Sequence, residues 1–188
     1  VAAYGVFANG GYLKQPYFIE KIIDVKGRKI KQNFSLTNDE TPRIIDPRNA
    51  FIMTSLLKEV IKTGTARKAK ILKREDIAGK TGTTNELVDA WFAGFNPNIV
   101  TITWMGFDQP RSLGKHESGS RAALPIWIDY MKPLISEYPN KILETPEGII
   151  PLKINPKNGM LAKEGEDGIY EYFYDEFLPQ NNAYFLLN

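Results

Sequence analysis

The residues best suited to chemistry lie in the segment Gly79-Lys80-Thr81-Gly82-Thr83-Thr84. A glycine-lysine pair of this kind occurs in phosphate-binding loops, which carry another glycine five positions earlier and then open a helix. Arg74 occupies the earlier position, and a strand-like aromatic run, Ala90-Trp91-Phe92-Ala93-Gly94-Phe95, follows soon after. The pattern therefore argues against a nucleotide-phosphate site.

A second interpretation is a Lys-Thr-Gly element that lines a serine acyl-transfer site. Lys80 places positive charge beside a nucleophile, and the hydroxyls of Thr81 and Thr83 can hydrogen-bond a substrate carboxylate. Gly82 lets a substrate backbone approach because it has no side chain. The Thr83 N–H can donate to an oxyanion, and one such donor is commonly worth roughly 10²–10³ in rate. This predicts catalytic roles for Lys80 and Thr83, and substrate contacts for Thr81, Gly82, Thr83 and Thr84.

The fold class predicted around this segment is α+β, with an antiparallel sheet and flanking helices. The motif reads as a short strand, and two further strands follow it, joined by the tight turn Asn96-Pro97-Asn98, so that they pair antiparallel. Asp46 and Pro47 are good residues to cap and begin a helix. The predicted helices span residues 1–9, 47–63 and 122–137, and a hairpin turns at Gly27.

Three stretches are predicted to lack regular structure. Residues 33–46 are polar and read as a loop, and residues 66–75 are basic and read as a solvated connection. From Tyr138-Pro139 onwards, prolines and glycines interrupt short apolar pieces, which predicts an irregular C-terminal tail. We expect a main unit over 1–138 and a C-terminal extension over 139–188.

Composition narrows the functional classes. The 188 residues are 43% hydrophobic, which suffices for a core, and the net charge of +2 is small for a nucleic-acid binder. Without cysteine there is no disulfide, thiol nucleophile or Cys-type zinc site. His116, the one histidine, lies in a polar loop where we expect no catalytic role. We predict no metal, no cofactor and no nucleic-acid partner.

Several residues near the motif have a structural and a functional interpretation. Trp104 and Trp127 are expected to pack in the core. Asp89 and Trp91 belong either to a cleft floor or to sheet packing, and packing is favoured. Asn85 and Glu86 follow the motif in a loop, where substrate contact is the less favoured alternative. A basic run is expected to be solvated and not to bind nucleic acid or lipid: Arg67, Lys68, Lys70, Lys73 and Arg74.

The segments around the motif closely resemble the class A penicillin-binding proteins, the bifunctional enzymes of peptidoglycan synthesis. The resemblance covers nearly the whole chain, in this order: Tyr4-Gly5-Val6-Phe7-Ala8-Asn9-Gly10-Gly11-Tyr12, Thr63-Gly64-Thr65-Ala66, Lys80-Thr81-Gly82-Thr83, Asp89-Ala90-Trp91-Phe92-Ala93-Gly94, Trp104-Met105-Gly106-Phe107-Asp108, Ala122-Ala123-Leu124-Pro125-Ile126-Trp127 and Glu171-Tyr172-Phe173.

The resemblance implies the C-terminal part of a transpeptidase domain with a partial serine penicillin-recognising fold. Such enzymes cross-link peptidoglycan stem peptides through a serine acyl-enzyme, and β-lactams acylate the same serine. Family members also carry a glycosyltransferase domain and a membrane anchor upstream, and act on the outer face of the cytoplasmic membrane. The implied partners are stem peptides, β-lactams and a preceding part of the same protein. The preceding part is expected because the first residues read like the middle of a packed helix.

The family places Ser-x-x-Lys and then Ser-x-Asn before Lys-Thr-Gly. This sequence has no Ser-x-Asn. Ser55-Leu56-Leu57-Lys58 has the first spacing but leaves no room for the middle motif, and we expect it on a solvated helix face. The chain alone is therefore predicted to be inactive and poorly stable. A non-catalytic wall- or protein-binding module of the same fold, and a β-lactamase-like hydrolase, stay open as alternatives.

Overall fold

The computed structural model describes residues 1–32 and 41–179. It confirms an α+β chain with antiparallel sheets. In chain order the helices and strands are α1 (Ala2–Ala8), β1 (Lys21–Ile23), β2 (Lys29–Gln32), α2 (Pro47–Lys62), β3 (Ala78–Thr83), β4 (Ala90–Phe95), β5 (Val100–Met105), α3 (Leu124–Ile135), β6 (Ile149–Ile154) and β7 (Ile169–Tyr174).

The central sheet has the strand order β3-β4-β5, and both pairs are antiparallel. The turn between β4 and β5 is held by Asn96, which is fully buried. Its side-chain oxygen accepts hydrogen bonds from the backbone N–H groups of Asn98 and Ile99 at 3.0 and 2.8 Å. The predicted pairing is confirmed, and a buried amide side chain is what closes the turn.

Helices cover the two faces of this sheet. On one face Phe92 packs edge-on against Trp127 of α3, with ring centroids 5.0 Å apart. On the other face Phe95 packs in a second cluster with Leu57 of α2 and residues of α1. Ile61 of α2 belongs to the first cluster, so α2 joins the two halves of the core. The core position predicted for Trp127 is confirmed.

α2 begins and ends where its sequence signals predict. The Asp46 carboxylate accepts a hydrogen bond from the Arg48 N–H at 2.8 Å, and Pro47 is the first helical residue. The helix ends at Lys62, within one residue of the prediction. A carboxylate at this position satisfies one of the free N–H groups of the first turn.

The predicted helix over 122–137 has a more complex start. A π-helical turn over Gly119–Ala123 precedes α3, which then runs from Leu124 to Ile135. Pro133 lies in the last turn of α3, in agreement with its expected place near the helix end.

The basic connection over 66–75 is solvated as predicted at Arg67, Lys68, Lys70 and Lys73, but not at Arg74. Arg67–Leu72 is a 3-10 helix, and the Arg74 side chain is only 12% exposed. Its guanidinium contacts the fully buried Asp76 carboxylate at 2.6 Å and also donates to three carbonyl groups at the end of α3 and just beyond it. Arg74 is buried because these acceptors satisfy its charge and donors, a context that a local basic run does not reveal.

The prediction of an irregular tail is also wrong. β6 and β7 form an antiparallel hairpin that packs on α2, where the rings of Phe51 and Tyr172 lie edge-on 4.9 Å apart. Arg48 pairs with Glu176 at 2.7 Å. Pro151 lies inside β6, and a proline is accommodated in a two-stranded ribbon because each strand has a free edge. The boundary between 138 and 139 stays a prediction.

The remaining expectations concern the first third of the chain. The hairpin around Gly27 is confirmed, with a bulge between Ile22 and Ile23. Residues 41–46 form no helix or extended strand, as predicted, and residues 33–40 lie outside the described part of the chain. Within the described ranges, no helix combines the length and the apolar character that crossing a membrane requires.

Candidate active-site strand

The motif residues lie on β3, at the edge of the central sheet. In the described residues β4 is the only strand that pairs with β3. The opposite edge of β3 is therefore free of strand partners in the described sheet. The edge placement that the motif requires is thus present.

The hydrogen-bond pattern fixes which backbone groups point outward. The Thr84 N–H donates to the Asp89 carbonyl at 3.1 Å, so the backbone N–H of Thr84 points toward β4. Successive residues of a strand alternate between pointing toward the partner strand and away from it. The N–H of Thr83 and the C=O of Thr81 consequently face the free edge.

Lys80 lies at this same edge. Its side chain is exposed, and its ammonium group donates to the Thr81 carbonyl at 2.9 Å. The ammonium is thereby held beside the outward backbone groups of β3. The arrangement places one cation and one outward N–H donor, that of Thr83, within a few residues on one strand edge.

The hydroxyls of Thr81 and Thr83 are each held by a partner on a neighbouring segment. Thr81 Oγ1 lies 2.7 Å from Thr65 Oγ1, and either atom can be the donor. Thr83 Oγ1 accepts a hydrogen bond from the Gly119 N–H at 3.0 Å. Neither Thr65 nor Gly119 was predicted as a site residue. Thr65 lies in a segment that carries the resemblance, but nothing local in the sequence predicts a contact across 36 positions for Gly119.

Gly119 packs directly on the motif strand. A methyl group added there would lie 2.5 Å from the Gly82 carbonyl oxygen and closer still to that of Trp91. Only a residue without a side chain lets the π-helical turn approach β3 and β4 this closely. The turn therefore supports the backbone of the motif from the helical side of the sheet.

Thr84 differs from the other motif residues. Its hydroxyl oxygen accepts a hydrogen bond from the Asp89 N–H at 2.8 Å, which closes the loop after β3. Asn85 and Glu86 are exposed in this loop, and Glu86 has a left-handed backbone with φ of 60°. The predicted loop placement of these two residues is confirmed.

The predicted core position of Trp104 is wrong. Trp104 is 46% exposed and Trp91 is 42% exposed, with ring centroids 6.1 Å apart. They lie directly opposite each other on β4 and β5, near the end of the sheet and on the same face as Phe95. Trp104 Nε1 donates to the Asp89 carboxylate at 2.9 Å, so Asp89 orients the exposed indole. Sheet packing was the favoured interpretation of Trp91, and it is confirmed for the contact with the Trp104 ring. The rest of the Trp91 side chain is exposed.

Ser55 and Lys58 do not lie on a solvated face, which corrects that expectation. Both are half-buried and line a cavity between α2 and the segment 141–143. Burial lowers the pKa of Lys58, and the positive charge of Lys62 lowers it further. No hydrogen bond joins the Ser55 hydroxyl to Lys58 among the described contacts. Ser112 and Lys115 have the same spacing and lie exposed in a loop after β5.

His116 lies exposed in the predicted loop, with φ of 70°. The described part of the chain holds no cluster of three or more His, Cys, Asp or Glu side chains that could bind a metal ion.

Comparison with known proteins places this geometry in a family. Residues 1–131 match the model of the penicillin binding protein transpeptidase domain. The chain belongs to the transpeptidase domain family of penicillin-binding proteins. Penicillin-binding protein 1A of Neisseria lactamica is 48% identical over 149 residues, which are 79% of this chain and 19% of that protein. Penicillin-binding protein 1A of Aquifex aeolicus is 47% identical over 168 residues, which are 89% and 22% of the two chains.

A solved relative has the same fold. The crystal structure of penicillin-binding protein 1A from Haemophilus influenzae superposes with a TM-score of 0.86 at 36% identity, over 95% of this chain and 32% of that one. The chain thus spans about a fifth of the length of the curated penicillin-binding proteins it matches. The resemblance to class A penicillin-binding proteins is confirmed.

Proposed function

We propose that this chain forms one wall of the acyl-transfer site of a peptidoglycan D,D-transpeptidase. The observation that carries the proposal is the free edge of β3, where Lys80 and the outward N–H of Thr83 lie together. The nucleophilic serine would come from a part of the same protein outside this chain. The site needs no cofactor of its own.

The roles of the motif residues follow from their groups. Thr83 N–H is the oxyanion donor, since it faces the edge where an acyl carbonyl can approach. Lys80 favours an anionic substrate and the loss of a proton from the serine hydroxyl. The hydroxyls of Thr81 and Thr83 receive the substrate carboxylate, and Gly82 keeps the strand open to the substrate backbone. Thr84 contributes by holding the loop after β3, and it adds a substrate contact only at the periphery.

Exposed apolar side chains on the central sheet indicate that further protein packs against it. Trp91 and Trp104 are each more than 40% exposed and adjoin each other on one face of β4 and β5. A contiguous apolar surface of this kind is typical of an interface. We infer that a preceding part of the same polypeptide covers it and that this chain alone is inactive. The whole protein would act on stem peptides and be acylated by β-lactams at the outer face of the cytoplasmic membrane.

The test is labelling of the complete protein that contains this sequence with a fluorescent penicillin. We expect covalent labelling of the wild type, a fall of roughly 10²-fold or more in the labelling rate for Lys80→Ala, and no change for Lys70→Ala, which removes an exposed lysine away from β3. Wild-type labelling with an unaffected Lys80→Ala variant would remove Lys80 from the mechanism. A complete protein that takes up no penicillin would favour the non-catalytic binding module.

A further inference from the structure

A cavity lies between α2, β7 and the segment 141–143, and is called the α2 cavity below. Its volume is about 90 Å³. One face of α2 supplies much of the lining, and the end of β4, β7 and the segment 141–143 supply most of the rest. None of the lining residues belongs to the motif on β3, so the α2 cavity is separate from the acyl-transfer wall.

Aromatic rings form the apolar part of the wall. Phe51 of α2 and Tyr172 of β7 lie edge-on with ring centroids 4.9 Å apart, and the buried ring of Phe95 also lines the cavity. Leu143 adds an aliphatic side chain from the segment beyond α3. A hydrocarbon group in contact with these side chains would leave water, which is favourable.

Three polar groups of the α2 cavity have no partner in the described part of the chain. Ser55 and Lys58 are one turn apart on α2, so their side chains lie on the same face of the helix. Tyr172 brings a hydroxyl from β7. Among the described residues, neither the Lys58 ammonium nor either of these two hydroxyls makes a hydrogen bond or a salt bridge. An ammonium and two hydroxyls are donors suited to a carboxylate.

The charge of Lys58 is not neutralised within the α2 cavity. The carboxylate that lines the cavity, that of Asp76, is taken up by the buried pair with Arg74. Lys62 donates to Glu59 at 2.7 Å. Burial lowers the pKa of Lys58, which means that its ammonium group is costly to keep there. An anion bound beside the ammonium would offset this cost.

The size and charge of the α2 cavity limit its ligand. An apolar cavity of about 150 Å³ takes up a benzene ring. The smaller volume of about 90 Å³ favours a short hydrocarbon chain over a ring. A single unpaired, half-buried ammonium matches a single negative charge, and the apolar wall has no use in binding a bare inorganic anion. Lys141 and Ile142 are exposed at the edge of the cavity, where a ligand can enter from solvent.

We propose that the α2 cavity binds a short-chain monocarboxylate. Lys58 and Ser55 donate to the carboxylate, Tyr172 adds its hydroxyl, and Phe51 and Leu143 contact the chain. The site does not involve β3, so this inference does not depend on the transpeptidase function proposed above.

Butyrate is the probe for this site, and butyramide and acetate are the reference ligands. Saturation-transfer NMR gives the dissociation constant of each for the complete protein that contains this sequence. We expect the wild type to bind butyrate about ten-fold more tightly than the uncharged butyramide, the value for one charge-assisted hydrogen bond. Acetate should also bind about ten-fold more weakly than butyrate, because it lacks two methylene groups that the apolar wall would bury.

The variants separate this site from the one on β3. Lys58→Met should lose the ten-fold preference for butyrate over butyramide, and a thermal melt shows whether it is still folded. Ser55→Ala should weaken butyrate binding about three-fold, through the loss of one hydroxyl donor. The matched control is Lys80→Met, which removes a lysine from the β3 edge and should keep the wild-type affinity for butyrate.

A wild type that binds butyrate no more tightly than butyramide, or a folded Lys58→Met variant that keeps the preference, would overturn the site. A loss in Lys80→Met as large as in Lys58→Met would also overturn it, because the carboxylate would then bind at β3. No butyrate binding by the wild type would overturn it as well, and would indicate that another part of the chain fills the cavity. Penicillin labelling of the same preparation tests the proposed function separately.

Discussion

The backbone N–H of Gly119 donates to the hydroxyl of Thr83 over 3.0 Å and so connects the π-helical turn to the motif strand. The donor belongs to the backbone, so a side-chain substitution cannot remove it directly. What a substitution can change is the distance between the two segments. Gly119 is therefore the residue through which the placement of Thr83 can be tested.

We expect Gly119→Ala to disturb the site. The new methyl group would meet the carbonyl oxygens of Gly82 and Trp91, and overpacking of this kind costs about 1–3 kcal/mol. The complete protein should show a transpeptidase-domain Tm lower by roughly 5 °C and at least ten-fold slower penicillin labelling.

Gly5→Ala is the matched control for this change. Gly5 lies in α1, and an added methyl group there meets nothing within 4 Å. Alanine favours a helix over glycine, so this variant should keep or slightly raise the Tm. Equal effects of the two substitutions would show that the contact of Gly119 with Gly82 is unimportant.

Several parts of this fold can be predicted from local sequence signals. The strands around the motif and the ends of α2 follow from local signals, namely a cap at Asp46, a proline at position 47 and a turn at Asn96. The motif strand could be found because Lys80, Thr81 and Gly82 are contiguous. Each of these features is determined by residues close together in the chain.

The predictions that were wrong depend on contacts between segments that are far apart in the chain. Arg74 is buried because Asp76 and the end of α3 surround it, and the tail forms a hairpin because α2 offers Phe51 and Arg48 as a surface. Trp104 is exposed because no helix or strand of the described residues covers that end of the sheet. Thr65 and Gly119 contact the motif over 16 and 36 positions. Contacts between distant segments decide all of these, and local patterns do not contain them.

The Arg74–Asp76 pair should be a strong determinant of stability. The Asp76 side chain is fully buried and binds Arg74 as well as the Lys141 N–H, at 3.1 Å. Removing one partner of a buried pair costs about 3–5 kcal/mol, because the other charge stays buried without compensation. We expect Asp76→Ala to lower the Tm of the transpeptidase domain by roughly 10 °C.

An exposed pair provides the comparison for Asp76. Glu59 lies 2.7 Å from Lys62, whose side chain is 66% exposed, and exposed pairs contribute about 0–1 kcal/mol. Glu59→Ala should therefore change the Tm by no more than about 2 °C. A small effect of Asp76→Ala, similar to that of Glu59→Ala, would mean that the buried pair adds nothing to stability.

The exposed surface of Trp91 and Trp104 predicts the behaviour of the isolated chain. Purified alone, the chain should bind a hydrophobic dye and unfold over a broad temperature range, since an apolar sheet face is left in water. Adding the preceding part of the parent protein should remove the dye signal. A sharp cooperative melt of the isolated monomer would contradict this prediction.

The cavity between α2 and residues 141–143 gives a prediction about pH. Burial lowers the pKa of Lys58 below its ordinary value of 10.5, so the folded protein releases this proton at a lower pH than the unfolded chain does. The charged amine then costs stability at neutral pH, and the cost disappears as pH rises through the folded-state pKa toward 10.5. Lys58→Met should raise the Tm at pH 7 by on the order of 2 °C, and this gain should shrink toward pH 10.

Lys62 is the comparison because it lines the same cavity with the opposite shift, and its charge also contributes to lowering the pKa of Lys58. Its hydrogen bond to Glu59 raises the pKa of Lys62, so its contribution is favourable at neutral pH and is lost only as pH rises through its folded-state pKa. Lys62→Met should therefore lower the Tm slightly at pH 7. Thermal melts of both variants and the wild type from pH 7 to pH 10 separate the two cases. A Lys58→Met variant whose Tm difference from the wild type is constant over this range would show that Lys58 keeps an ordinary pKa in the folded protein.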